Sequence, residues 1–312
     1  MSRLLRWSDL PTLYRYRHRG LYLQSALATT QTSLLSLGWL RRRVTGELVE
    51  CVLDEQDNDL PLLGSCLLPR RRHTALITAL APAEALEAAE IERLVAALSA
   101  QAARAGALAM LAETATESPL FTALRGAGFA ACARQRVWRW SAPPPVPASG
   151  RWRFARREDL PRIHALLREL TPQRGLSGEE TAPYLFPGLV YQTATGVRGF
   201  AEVLAGPRGV WFRPHFPPQT DELDALLINL VAGFPLGGRE AFICVRASQS
   251  GVEPALQAQG AELLEEQIVL LRRLAVRQPV PQRARLQSLE GQPDAAMPLT
   301  NVVTRESRAR QI

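Results

Sequence analysis

The sequence contains no lysine at all, and every one of its 37 basic residues is an arginine. A phosphate-binding Walker loop needs a lysine side chain, and Schiff-base or pyridoxal-phosphate catalysis needs a lysine amine. The absence of lysine therefore excludes P-loop kinases, aldolases and transaminases as functions of this chain.

Cysteine and histidine are scarce, with four residues of each. Because neither type follows the spacing of a metal site, we expect no bound metal. Cys51 and Cys66 are equidistant from Asn58-Asp59, so a hairpin turning there would place the two thiols opposite each other, within reach of a disulfide. Two buried, reduced thiols are the alternative that we favour.

No uninterrupted apolar run near the N-terminus is long enough to span a membrane. The most apolar stretch, from Leu21 to Leu40, is broken by polar side chains between Gln24 and Ser33. The first residues carry charges too early for a signal peptide, so we expect a cytoplasmic location. The Arg41-Arg42-Arg43 run leaves docking to a membrane surface as an alternative.

The overall composition is that of a globular protein, with 46% hydrophobic and 21% charged residues and a mean hydropathy of −0.07. A length of 312 residues predicts two domains. The formal net charge of +7 is weak evidence for a nucleic-acid partner, and we do not expect one from charge alone.

Two helix starts, Ser8-Asp9-Leu10-Pro11 and Glu158-Asp159-Leu160-Pro161, are 150 residues apart. In both, an acidic or hydroxyl residue can cap the helix, and proline occupies the first turn, where its missing N–H costs nothing. A short segment of arginine and aromatic residues precedes each start and predicts a strand.

A second register, of 132 residues, matches Pro82 with Pro214, Gly106 with Gly238 and Gly128 with Gly260 without a gap. In each copy, apolar residues at helical spacing lead to a glycine helix stop, a buried strand, a short helix and a closing strand. The predicted buried strands are 107–111 and 241–245, and the closing strands are 134–140 and 266–272. Chance would not place prolines, glycines and strands in one register, so we predict an internal duplication.

The copies are separated by a proline-rich segment that favours an extended spacer. The residues beyond Val276 are polar and lack periodicity. We therefore predict an N-terminal domain at 1–141, a linker at 142–150, a C-terminal domain at 151–276 and a disordered tail at 277–312.

The order strand, helix, helix, two or three strands, helix, strand, short helix and closing strands resembles the GNAT N-acetyltransferase superfamily. Phe121 to Phe129 is similar to that family's late helix and its Gly-Phe turn, and Arg153 to Leu160 is similar to its opening strand and helix cap. The resemblance implies an α/β fold of two tandem GNAT-like domains. Each would have a mixed, mostly antiparallel central sheet flanked by helices.

In that family, a loop of pattern Gln/Arg-x-x-Gly-x-Gly/Ala binds the pyrophosphate of acetyl-CoA through its backbone N–H groups. The corresponding stretches here, 81–90 and 214–222, contain no glycine. They carry carboxylates instead, at Glu84, Glu87, Glu90, Asp221 and Glu222. Leu124 and Leu256 occupy the position of the family's proton-donating tyrosine, so both copies depart from the family's machinery.

By position, the resemblance implies that acyl-CoA would contact Leu80, Ala81, Pro82, Ala83, Phe212 and Arg213. Glu113 and His215 are candidate acid–base residues, because they lie at strand ends where this fold opens its central cleft.

The resemblance implies a divergent N-acyltransferase that uses acetyl-CoA as co-substrate, acetylates an amine of unknown identity and has its two domains in contact. The alternative is a catalytically inactive pseudo-enzyme that binds a protein or a small ligand. A weaker alternative is arginine-mediated nucleic-acid binding, for which Arg134 and Arg136 alternate with Trp138 and Trp140. That pattern also suits an amphipathic edge strand or a contact between the copies.

Overall fold

The computed structural model describes residues 2–53, 61–69, 73–141, 152–170, 188–193, 196–217, 220 and 222–274. The predicted linker and tail lie outside these residues, as does the Asn58-Asp59 turn. None of the helices within the described ranges is long and apolar enough to cross a membrane.

The described elements of the second half follow the order of the first, which contains one short strand and two helices more. Each half opens with a short strand and a 3₁₀ turn. The first half contains β1 (Ser2–Leu4), α1 (Leu10–Arg15), β2 (Leu21–Tyr22), α2 (Ser25–Thr30), α3 (Leu37–Val44), β3 (Leu48–Leu53), β4 (Leu62–Leu67), β5 (Thr74–Ala81), α4 (Ala88–Arg104), β6 (Ala109–Ala115), α5 (Pro119–Gly126) and β7 (Ala130–Trp140). The second half contains β8 (Trp152–Phe154), α6 (Leu160–Leu170), β9 (Gly188–Thr193), β10 (Gly196–Ala205), β11 (Gly209–His215), α7 (Leu223–Ala232), β12 (Glu240–Arg246), α8 (Val252–Ala258) and β13 (Glu262–Arg273). The predicted α/β class is confirmed.

The strands form one continuous sheet in the order β1-β3-β4-β5-β6-β13-β7-β12-β11-β10-β9-β8, with β2 added on β5. Within the described residues, the pairs β5–β6 and β11–β12 are parallel and the other pairs are antiparallel. The closing strand of each half pairs with a strand of the other half, because β13 lies between β6 and β7, and β7 lies between β13 and β12. The domain boundaries at 141 and 151 stay a prediction.

The centre of this exchange is a pair of glutamines. Gln135 on β7 and Gln267 on β13 are directly opposite each other, and Gln135 Nε2 donates to Gln267 Oε1 at 2.7 Å. Both side chains are buried, and they are 132 residues apart, the spacing of the second register. A buried amide must find a hydrogen-bond partner, so this pair favours the observed register of the two closing strands.

The predicted apolar helix stripes pack against the sheet. In the first half, Leu94 and Leu98 of α4 are fully buried in a core with Cys51 and Cys66. The other face of the same strands carries a second cluster that includes Val52. The alternation of side chains along β3 therefore supplies two opposite hydrophobic layers.

The 132-residue register also holds in the backbone, except at α7, which begins later and ends earlier than the equivalent of α4. Gly128 and Gly260 both adopt a positive φ, 85° and 75°, directly after α5 and α8. Gly238, however, does not end α7, which stops at Ala232. Pro235 explains the early end, because proline disfavours a helical conformation in the residue before it.

The alternative that placed Cys51 opposite Cys66 is wrong. Cys51 faces Gly64 and Cys66 faces Val49, so the β3–β4 register is shifted by two residues from a turn centred on Asn58-Asp59. Both residues are free and buried, and burial raises the pKa of the Cys51 thiol to about 12. The favoured alternative, two buried reduced thiols, is confirmed.

The 150-residue register marks two equivalent ion pairs. Arg3 contacts both carboxylate oxygens of Asp9 at 2.6 and 2.9 Å. Arg153 contacts both oxygens of Asp159 at 2.7 and 2.8 Å. Each carboxylate also accepts the backbone N–H three residues before it, at 2.7 Å. One arginine thus ties the opening strand to the following helix in each half.

We expect Asp159→Asn to destabilise the protein more than Asp9→Asn. Hydrogen bonds from Arg153 and from the backbone hold the pKa of Asp159 at about 2, against the opposing effect of burial. A lowered carboxyl pKa stabilises the folded state above the unfolded-state pKa of about 3.9, and this contribution is lost as pH falls towards the folded-state value. Urea unfolding at pH 7 should show a loss of about 1 to 2 kcal/mol for Asp159→Asn.

The matched Asp9→Asn variant should lose less, because the Asp9 side chain is 14% exposed and that of Asp159 is 4% exposed. Equal losses of stability in the two variants would contradict this account. So would an Asp159→Asn variant whose stability falls with acidification in the same way as that of the wild type.

Candidate functional site

Each half opens a cleft where its two parallel strands separate. β5 and β6 pair only over Thr74–Leu76 and 109–111. β11 and β12 pair over Gly209–Phe212 and 240–243. Beyond these residues the strands of each pair diverge towards their carboxyl ends, which is where open α/β sheets bind ligands.

Residues 21–23 close the first cleft. Leu21 lies opposite Leu80 of β5, and Tyr22 lies opposite Ala79. The Leu23 N–H donates to the Thr78 carbonyl at 3.1 Å, and the Leu23 carbonyl accepts from the Glu113 N–H at 2.9 Å. Because the fully buried Leu23 bridges β5 and β6, this segment occupies the backbone groups that an extended ligand would use.

The first half does not fit the pyrophosphate of acyl-CoA. Residues 80–83, predicted to contact the cofactor, lie along the closed cleft. The Ala83 N–H donates to the Arg19 carbonyl at 2.8 Å, and Glu84 forms an ion pair with the Arg19 side chain. A carboxylate and an engaged N–H therefore occupy the loop where the family's glycines would receive phosphate.

The described part of the second loop does not fit the pyrophosphate either. The Phe216 N–H donates to Gln249 Oε1 at 2.8 Å, and Gln249 Nε2 donates back to the Phe216 carbonyl at 3.1 Å. Glu222, with a φ of 55°, precedes α7. Phe212 is buried in the core of this half. Asp221 lies outside the described residues.

A buried polar cluster lies beside the second cleft. Arg213 Nε and Nη2 donate to Glu202 Oε1 at 2.9 and 2.6 Å. His215 Nε2 is 3.5 Å from the same oxygen, and its ring stacks on Phe200 with 5.8 Å between ring centroids. Burial lowers the pKa of His215, against the opposing effect of Glu202. The imidazole is therefore neutral at pH 7, with a carboxylate beside it.

Glu113 links this cluster to the first half. Its Oε2 accepts the Ser25 N–H at 2.7 Å, and its Oε1 lies 3.8 Å from Arg246 Nη2. Arg246 also lowers the pKa of His215. The two residues predicted as acid–base candidates thus interact with one arginine, although they belong to different halves of the chain.

Several residues of the cluster carried no recognisable sequence signal. Glu202, Ser25 and Arg246 belong to no motif, and the exchanged strands bring Arg246 of the second half to Glu113 of the first.

The predicted stacking surface for nucleotides includes Trp138 and Trp140. Both are buried in the core of the second half, on a central strand, so neither stacking nor an edge position applies.

A cavity of about 360 Å³ adjoins the segment that closes the first cleft, since Tyr22 of that segment is part of the cavity wall. Its apolar wall includes Leu13, Leu27, Leu34, Leu63 and Trp39. Residues 204–207 of the second half complete the wall, and they approach α2 so closely that a Cβ on Gly206 would lie 2.2 Å from the Thr30 carbonyl oxygen.

Polar side chains line the cavity from the sheet, from residues 31–36 and from α3. Glu50, Ser65 and Thr78 line it from the strands, and Arg42 lines it from the last turn of α3. Arg42 belongs to the arginine run that suggested docking to a membrane. In the structure, Arg42 lines the cavity, and Arg43 forms an ion pair with Glu50.

No protein-family model matches the sequence, and no curated protein matches it. Among solved structures, a GCN5-related N-acetyltransferase from Sphaerobacter thermophilus aligns with a TM-score of 0.54 at 14% identity, over 90% of this chain and 97% of that chain. A tandem GNAT protein from the clavulanic acid biosynthesis pathway aligns with a TM-score of 0.53 at 12% identity, over 89% and 99%. The predicted tandem GNAT fold is confirmed.

We expect Glu113→Ala to lower the free energy of unfolding by roughly 2 to 4 kcal/mol, because it removes the carboxylate next to the half-buried Arg246 and leaves the Ser25 N–H without its acceptor. Glu113→Gln keeps that acceptor and should cost less. Glu117→Ala, at an exposed position four residues away, is the matched control and should change little. Similar urea unfolding curves for the Glu113→Ala and Glu117→Ala variants would rule out a structural role for Glu113.

Proposed function

We propose that this chain is a ligand-binding protein built on the tandem GNAT fold, whose first half holds a small apolar molecule in its cavity instead of an acyl-CoA arm. The observation that carries the proposal is the position of Leu23. Its backbone bonds to both β5 and β6, so the chain itself occupies the first cleft.

The position of the cavity supports the same conclusion. Tyr22, Thr78 and Leu80 contribute both to the closed cleft and to the cavity wall. The segment that closes the cleft therefore also shapes a second space behind it. A volume of about 360 Å³ with mostly apolar walls and a few polar groups is typical of small-molecule sites.

We expect 1-octanol to bind with one site per chain, and acetyl-CoA not to stabilise the protein. If the Kd for octanol is about 0.2 mM, about 2 mM ligand adds roughly 1.4 kcal/mol, which raises the melting temperature by a few degrees. Calorimetric titration and thermal melting both report this binding.

Leu27→Trp, which fills the cavity from α2, should weaken octanol binding. Leu40→Trp makes the same substitution at a position that is 41% exposed and should leave the affinity unchanged. Absence of octanol binding, or equal binding to both variants, would contradict the cavity as the site. Stabilisation by about 1 mM acetyl-CoA would instead favour the candidate function that follows.

Acyl transfer to an amine by the second half is a second candidate function, and the His215–Glu202 pair favours it. A neutral imidazole beside a carboxylate is suited to accept the proton of an attacking amine. The fold shared with N-acetyltransferases supports the same reaction class. In this reading, Arg213 is a positioning residue that holds Glu202 beside His215.

Under this second candidate, His215→Gln should lower kcat by about 100-fold, because it removes the proton acceptor. It should leave thermal stabilisation by acetyl-CoA unchanged. The wild-type rate should stay constant above pH 7 and fall on acidification, since the pKa of His215 lies below its ordinary value. His164→Gln, on α6, is the matched control. Equal rates for the two variants would eliminate His215 as the base.

A further inference from the structure

The first half exposes two large aromatic rings on one face of its opening helical segment. Trp7 lies in the 3₁₀ turn and Tyr14 lies in α1, which follows that turn without a break. A spacing of seven residues places both side chains on the same side of the segment. Trp7 is 57% exposed and Tyr14 is 59% exposed. Single exposed apolar side chains are common, but a shared face of this kind is typical of an interaction site.

The second half shows that the fold does not require these rings. The 150-residue register matches Trp7 with Arg157 and Tyr14 with His164. The ion pair that ties the opening strand to the helix is nevertheless present in both halves. The two aromatic side chains are therefore specific to the first half and are not needed to form its helix.

α3 lies beside this segment and extends its apolar surface. The Arg43 guanidinium carbon is 4.7 Å from the centroid of the Trp7 ring, and Arg43 Nη2 donates to the Leu5 carbonyl at 3.1 Å. Leu40 and Val44, one turn apart on α3, are 41% and 72% exposed. Since Leu40 and Arg43 are neighbours on the helix surface, this aliphatic pair lies on the flank of α3 nearest Trp7. We call the surface formed by Trp7, Tyr14, Leu40 and Val44 the Trp7 face.

Positive charge is concentrated in the same part of the chain. Residues 1–47 contain eight arginines and two acidic residues, so they carry +6 of the formal net charge of +7. Four carboxylates each offset one of these arginines: Asp9 pairs with Arg3, Glu84 with Arg19 and Glu50 with Arg43, and Glu47 interacts with Arg42. The arginines at positions 6, 15, 17 and 41 remain in excess.

These four arginines lie next to the apolar side chains. Arg6 precedes Trp7, Arg15 follows Tyr14 at the end of α1, and both are exposed. The Arg17 guanidinium carbon is 4.0 Å from the centroid of the Tyr14 ring. Arg41 is the exposed member of the arginine run on α3. The Trp7 face is thus an apolar surface with a positively charged rim.

This combination favours an anionic lipid bilayer as the partner. Aromatic rings and arginines are suited to the headgroup layer, and aliphatic side chains to the boundary with the acyl chains. A nucleic acid would use the arginines and the rings, but base stacking gives no role to Leu40 and Val44. A second copy in a twofold contact would bring like charges together.

We propose that the Trp7 face docks this protein on the surface of a bilayer that contains anionic phospholipids. The four apolar side chains enter the interfacial layer, and Arg6, Arg15 and Arg41 contact the lipid phosphates. None of these residues lines the cavity, so the inference is independent of the proposed ligand.

Co-sedimentation of the full chain with large unilamellar vesicles tests the proposal. At about 0.1 M salt, binding to vesicles of equal parts phosphatidylglycerol and phosphatidylcholine should be at least ~10-fold tighter than binding to pure phosphatidylcholine. The affinity for the anionic vesicles should fall as salt is added, because salt screens the exposed arginines.

The variant Trp7→Gln/Tyr14→Gln should weaken binding to the anionic vesicles by about 10-fold or more, because it removes apolar surface that the bilayer would bury. We expect it to fold, since the second half carries polar residues at both equivalent positions. Phe154→Gln, at a position of the second half that is 60% exposed, is the matched control and should bind as wild type.

The variant Arg15→Gln/Arg41→Gln keeps the aromatic rings and should weaken binding roughly 30-fold, at about 1 kcal/mol for each arginine. Arg157→Gln/Arg168→Gln removes two exposed arginines of the second half and should leave binding unchanged. Melting temperatures close to that of the wild type would show that the variants fold.

Equal binding to the two kinds of vesicle, or unchanged binding by the Trp7→Gln/Tyr14→Gln variant, would overturn the proposal. Tighter binding to an oligodeoxythymidine than to the anionic vesicles would overturn it in favour of a nucleic acid. Dimers in sedimentation equilibrium that the same variant abolishes would overturn it in favour of a second copy.

Discussion

The exchange of the closing strands is the constraint on which the rest of this structure depends. β13 completes the sheet of the first half, and β7 completes that of the second, with the Gln135–Gln267 amide pair at the centre. Neither half can keep its sheet if the other leaves, because each supplies a central strand to its partner. The two halves therefore share one sheet, and buried groups from both can form a single network.

That shared sheet explains why charged side chains are tolerated in the interior. Glu113 from β6 meets Arg246 from β12, and Glu202 meets Arg213 two strands further along. Each carboxylate has an arginine within reach, and the Ser25 N–H adds a further partner to Glu113. Burial of ions on this scale is tolerated only when the charges are paired.

One short segment also connects the cleft of the first half with the second half. Residues 21–23 close the space between β5 and β6, and α2, which follows, packs against β11. The last carbonyl of α2 accepts the Arg208 N–H at 3.1 Å. A ligand that opened the first cleft would thus disturb the contact with the second half. A ligand in the cavity leaves the backbone hydrogen bonds of Leu23 to β5 and β6 in place, which is why we place the ligand there.

The sequence by itself determined most of the order of elements, though not β2, together with the two registers of 150 and 132 residues and the loss of the glycine loops. These features follow from local periodicity, prolines and glycines. It left open whether Cys51 lies opposite Cys66, because strand register depends on a turn and on packing that no short pattern specifies. Only the tertiary structure decided the strand exchange, the closure of the cleft by Leu23 and the joining of Glu113 to Arg246. Each of these depends on hydrogen bonds or ion pairs between residues far apart in the chain. Such contacts produce no periodic pattern in the sequence.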